Sequence, residues 1–188
     1  VFDTRADTTE LLDKEDVDET LTLQSYRFMG IVNKFLGGAA MVRDFIANEI
    51  RPQNRFEPLK ILDIGSGPCD IPAAICLWAQ AKGLKLEFTC IETNTYAIQA
   101  AQQNMSQYSN IKVVEKDIFN YQPSERYDCA TGSLFFHHLS NEQITGLISR
   151  LRTFGCRSVL INDLHRSLVC YAGCLFACMF VPAGVRHD

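Results

Sequence analysis

A chain of 188 residues, 47% hydrophobic and 21% charged, has enough material for one domain with a sizeable core and a short accessory segment. A net charge of −4 and a pI near 5.6 exclude a broad nucleic-acid footprint, which needs clustered Lys and Arg. The eight cysteines form no Cys-x-x-Cys pair and no Cys/His zinc spacing, so they read as reduced thiols of a cytoplasmic protein, with no metal expected.

Residues 1–20 carry eight acids and two bases without an apolar run, which describes a polar arm and not a signal peptide. From Glu19 to Leu36 apolar residues recur at helical spacing, Leu23, Tyr26, Ile31 and Phe35 among them, and Gly37-Gly38 ends the run. Ala39 to Ile50 reads as a second amphipathic helix, with Met41, Val42, Phe45 and Ile46 on one side. The arm and these helices make an N-terminal segment, 1–57, ahead of a core at 58–188. The helices either pack on the side of that core or cover its mouth.

Lys60 to Ile64 is an apolar strand that breaks at Gly65-Ser66-Gly67, and Ile71 to Lys82 reads as a helix. Strand, tight turn and helix make the first βα unit of a nucleotide-binding sheet, or an ordinary strand-to-helix turn. Glycines at 65 and 67 allow a sharp bend and a close approach by a ligand. Asp70 can cap the helix, and Pro72 suits its first turn. Asp70 also stands at the last glycine position of the dinucleotide fingerprint, where its charge would oppose a pyrophosphate.

The second strand is Lys85 to Ile91 with Glu92 at its end, followed by a helix over Asn94 to Gln107. A carboxylate at that place can accept ribose hydroxyl hydrogens, or it can favour the dipole of the next helix. The third strand, Ile111 to Val114, runs into Glu115-Lys116-Asp117-Ile118. The fourth is Tyr127 to Thr131, followed by Gly132-Ser133-Leu134-Phe135-Phe136-His137-His138. Ser140 and Gln143 form a capping-box pattern for a helix reaching about Arg152.

His137 and His138 fall at the carboxyl end of the sheet, where ligands bind in open α/β folds, and imidazole suits proton transfer near neutrality. Alternatively one of the pair is buried and hydrogen-bonded while the other is exposed. The fifth strand, Ser158 to Ile161, leads to Asn162-Asp163 and His165, a further candidate base, with Asp163 read first as a turn cap. Leu168 to Val181 is apolar but too short for a membrane span, and Cys170, Cys174 and Cys178 share one helical face as packing residues.

These residues together resemble the class I S-adenosylmethionine-dependent methyltransferases over about residues 58–166. Asp63, Gly65 and Gly67 match the family's (E/D)-x-G-x-G-x-G motif, and Cys69 stands where its third glycine is usual, which would leave the loop less able to crowd a ligand. The resemblance implies an α/β, Rossmann-like, mostly parallel sheet of order 3-2-1-4-5 with helices on both faces. It also implies that the last two of the family's seven strands are missing, so the chain is expected to be truncated or minimal. It implies S-adenosyl-L-methionine as cofactor, contacted by Asp63, Gly65, Ser66 and Gly67, by Glu92 and Thr93 at the ribose, and by Asp117 and Ile118 at the adenine. Ser133 would lie near the methionine part. A base for a hydroxyl acceptor would come from His137, His138 or His165.

The partner expected is a small-molecule acceptor, with no nucleic acid and no membrane span. The apolar C-terminal helix or an exposed edge strand would offer a homodimer surface. A non-catalytic binding domain of the same fold, and an NAD-dependent oxidoreductase, are the rival readings.

Overall fold

Five short strands carry the architecture, in a computed structural model that describes residues 19–35 and 37–163. β1 (Leu59–Ile64), β2 (Leu86–Glu92), β3 (Ile111–Glu115), β4 (Cys129–Ser133) and β5 (Ser158–Asn162) pair in parallel in the order β3-β2-β1-β4-β5. This is the expected sheet order. The register sets Asp63 beside Cys90 on one side and Thr131 on the other. Parallel neighbours need crossovers, supplied here by α3 (Asp70–Ala81), α4 (Thr95–Met105) and α5 (Asn141–Thr153).

Side chains alternate across the sheet, so each strand feeds two cores. On one face Ile61, Phe88 and Cys129 pack with Ile75 of α3, Ala101 of α4, and Val42 and Ile46 of α2 (Gly38–Glu49). On the other, Leu62, Ile91 and Ala130 pack with Leu147 and Leu151 of α5. Each such Leu contributes about 1.5–3 kcal/mol by leaving water. The predicted capping box opens α5: Ser140 N–H donates to Gln143 Oε1 at 2.7 Å, and Gln143 N–H donates to Ser140 Oγ at 3.2 Å.

β4 starts two residues later than the sequence suggests. Tyr127 N–H pairs instead with Phe154 O, and the Asp128 carboxylate takes Lys60 N–H at 2.9 Å. The shift puts Ser133 inside the strand, at its carboxyl end. Asp70 is likewise the first residue of α3 and not its N-cap; Cys69 holds the cap position.

α1 (Glu19–Phe35) lies across the start of α3. A Cβ added at Gly30 would sit 3.4 Å from Asp70 Oδ2, and one added at Gly67 would sit 3.4 Å from Tyr26 Cε1. The N-terminal helix therefore reaches the mouth of the sheet. Among the described residues β5 pairs with β4 alone, and its Ile161 is 41% exposed. No described helix is long and apolar enough to cross a membrane. The acidic arm, His165 and the apolar stretch with Cys170, Cys174 and Cys178 lie outside the described residues.

Candidate functional site

The turn after β1 reverses its backbone hand three times. Gly65, Gly67 and Cys69 all have positive φ, at 64°, 53° and 63°. Glycine takes that conformation without strain, whereas Cys69 pays roughly 1 kcal/mol or more for it. The Cys69 side chain is fully buried in the first core. It therefore packs away from the surface of the turn.

Glu92 fastens this turn to β2. Its Oε2 accepts from Gly67 N–H at 2.8 Å, and its Oε1 accepts from Thr93 N–H at 2.8 Å and Asn94 N–H at 2.9 Å. A carboxylate offers about four lone-pair sites, so roughly one is left for a ligand hydroxyl. Lys116 N–H donates to Glu92 O at 3.1 Å, which brings the end of β3 to the same edge. Asp117 follows there, exposed, with Oδ1 accepting from Phe119 N–H at 2.9 Å. Ile118 is buried in the second core, so it anchors the Asp117 loop and offers little surface to a ring. The turn, Glu92 and Asp117 thus share the carboxyl edge of the sheet. Ser66 Oγ, in the turn itself, is buried with no hydrogen-bond partner among the described residues.

Asp63 lies beneath the turn. Thr131 Oγ1 donates to its Oδ1 at 2.6 Å. Burial pushes its carboxyl up to about 7, against the Thr131 bond that lowers it, and the nearby Asp70 and Glu92 charges push the same way. Asp63 therefore supports the turn from inside and is not a surface contact. Unfolded, the group titrates near 3.8. Between that value and about 7 the folded protein keeps a proton that the unfolded chain has released, so this group makes stability fall as pH rises through that window. Asp63→Asn removes the fall while keeping a partner for Thr131. Urea midpoints should show the variant gaining on the parent between about pH 4 and about pH 7. Parallel midpoints across that range would refute a buried, protonatable Asp63.

The segment after β4 forms the second wall. Leu134 takes φ 54°, and its N–H donates to Asn162 O at 2.9 Å. Asn162 Nδ2 also donates to Ser133 Oγ at 3.1 Å, so the ends of β4 and β5 are laced together. Phe135 then leans on the glycine turn: a Cβ at Gly65 would lie 2.7 Å from its Cδ2. Its ring meets Phe136 edge to face at 5.5 Å. Neither Phe135 nor Tyr26 carried a signal in the sequence beyond apolar spacing.

His137 and His138 separate as one of the two readings expected. His138 is exposed; His137 is half-buried and held by Asp163. Its backbone N–H donates to Asp163 Oδ2 at 2.9 Å, and its Nδ1 lies 2.6 Å from Asp163 Oδ1. The two imidazole rings are 4.0 Å apart, tilted by 40°. Asp163, read from sequence first as a turn cap, is instead the partner of a candidate base.

A family model described as a methyltransferase domain matches residues 61–154. No curated protein matches the chain. Among solved structures, the plantazolicin methyltransferase BpumL in complex with SAH is 17% identical, with a TM-score of 0.58 over 89% of this chain and 66% of that one. BpumL with a triazolic desmethylPZN analog and SAH gives 19% identity and a TM-score of 0.53, over 89% of this chain and 67% of that one. A Methanococcus maripaludis structure, assigned to the S-adenosyl-L-methionine-dependent methyltransferases, gives 16% and 0.56 over 88% of this chain and 72% of that one. At these identities the likeness is one of fold. The chain spans about two thirds of the length of BpumL.

Proposed function

The chain belongs to the methyltransferase-domain family, within the class I S-adenosylmethionine-dependent methyltransferases, and on that footing we propose that it methylates a hydroxyl of a small molecule. The observation that carries the reading is the Glu92 carboxylate bonded to Gly67 N–H beside two left-handed glycines. A bare backbone bend next to a carboxylate with a spare lone pair suits a nucleoside sugar. The buried, unpaired Ser66 Oγ adds a polar atom in the same turn that a ligand group would satisfy.

Gly65, Ser66 and Gly67 would hold the donor by close backbone approach, and Glu92, with Thr93 N–H fixing its orientation, would accept a ribose hydroxyl. Asp117, exposed at the end of β3, would meet the adenine amino group. Ser133 and Phe135 would border the methionine part. The donor, when bound, supplies a methyl carbon on a positively charged sulfonium. The chain's own task is to set an acceptor oxygen in line with that carbon, since positioning alone can lower the barrier by several kcal/mol. A hydroxyl acceptor must lose a proton, and His137, with Asp163 at its Nδ1, would take it. α1, with Tyr26 against the glycine turn, would close the crevice from above. The acidic balance fits a small acceptor better than a nucleic acid. The buried free thiols Cys69, Cys76, Cys90, Cys129 and Cys156 fit the reducing cytoplasm.

Calorimetric titration with S-adenosylmethionine, S-adenosylhomocysteine and NAD tests the reading. Saturable binding of the first two, with none of NAD, is the expected result. Binding of NAD alone would replace the proposal with an oxidoreductase, and binding of none would leave a non-catalytic domain of the same fold.

A further inference from the structure

We infer that Asp163 is the positioning residue that makes His137 a base, an inference that rests on the methyl-transfer reading and names how its proton step is served. The two residues are 26 positions apart in the chain and meet only because β4 and β5 are parallel neighbours laced at their ends. One carboxylate oxygen holds the His137 backbone and the other faces its ring. The side chains are 21% and 14% exposed, dry enough to strengthen the bond and open enough for a proton to leave.

The chemistry follows from the contact. With a carboxylate at Nδ1, the neutral imidazole keeps its proton there, and Nε2 carries the lone pair. When the acceptor O–H bond breaks, its proton passes to Nε2 and the oxygen keeps the electron pair. The imidazolium so formed holds both N–H bonds, with Nδ1–H still on the Asp163 carboxylate, and afterwards releases the Nε2 proton to solvent. Among the described residues the ring is faced by Asp163 at the end of β5 and by His138 from its own turn. The carboxylate favours the charged ring and a protonated His138 disfavours it. The arrangement therefore favours acceptors that must be deprotonated, such as phenols and enols. A neutral amine, which attacks through its own lone pair, needs no such base.

Histidine-ring nitrogen NMR on the full chain, labelled at histidine, decides the matter without an acceptor. In the parent, neutral His137 should be the Nδ1–H tautomer and should titrate above the ordinary value of about 6.5. Asp163→Asn should lower its proton affinity at least tenfold, and Asp163→Glu should restore part of the loss. An Nε2–H tautomer in the parent, or an unmoved titration in Asp163→Asn, overturns the inference. The parent tautomer is decisive even if a variant fails to fold. Titration of the same sample with S-adenosylmethionine separates the two readings. Absent donor binding counts against the methyl-transfer reading, whereas donor binding with the wrong tautomer counts against the Asp163 role alone.

Discussion

Glu92→Ala is expected to weaken S-adenosylmethionine binding about a hundredfold. Two interactions vanish together: the tether from Oε2 to Gly67 N–H and the acceptor for a ribose hydroxyl. A hydrogen bond to a charged group contributes about 1.5–3 kcal/mol, so the pair amounts to about 3 kcal/mol or more, two decades of affinity. Thr93 and Asn94 N–H also lose their acceptor, but they sit at a strand end where water can replace it. Binding should therefore suffer more than folding. Glu92→Gln keeps one carbonyl acceptor and turns amide hydrogens on a backbone donor, so it should fall between the two. Calorimetry on the three proteins checks the order. Donor affinity within about threefold of the parent in Glu92→Ala would remove Glu92 from the site.

Gly65→Ala is expected to destabilise the fold by about 3 kcal/mol. Part is conformational: a side chain at φ 64° costs roughly 1–2 kcal/mol. The rest is steric, since the new Cβ would sit 2.7 Å from Phe135 Cδ2 and 3.0 Å from its Cβ and Cγ. The contact with Phe135 Cβ means that a ring flip alone gives no relief, and overpacking of this kind costs about 1–3 kcal/mol. The two parts separate in a double variant. Phe135→Ala removes the contacts with the ring carbons and leaves the contact with Cβ and the backbone cost, so Gly65→Ala should be about 1 kcal/mol milder on that background. Urea unfolding of the four proteins gives the coupling directly. Strict additivity would mean that Phe135 does not lean on the turn.

What the sequence disclosed was local. The glycine bend, the carboxylate ending the second strand and the Ser140–Gln143 capping box each rest on residues within a few positions of one another. The strand order came from the resemblance and agrees with the sheet. What stayed hidden was contact across strands. The pairs Asp63–Thr131 and His137–Asp163 are 68 and 26 residues apart, and no spacing rule links such positions. The same blindness misplaced β4, because Tyr127 is apolar enough for a strand but its N–H belongs to Phe154. Nor did spacing show that the Ile118 side chain packs in the second core. Asp63 matched the family motif by position, yet its burial makes it a support for the turn.

A crystal structure with S-adenosylhomocysteine tests the central claim most directly. The account predicts a ribose hydroxyl within about 3 Å of the Glu92 carboxylate, with the adenine edge beside Asp117 and the glycine turn against the rest of the nucleoside. A nucleoside bound away from the Gly65–Gly67 turn, or one that leaves Glu92 untouched, would contradict it.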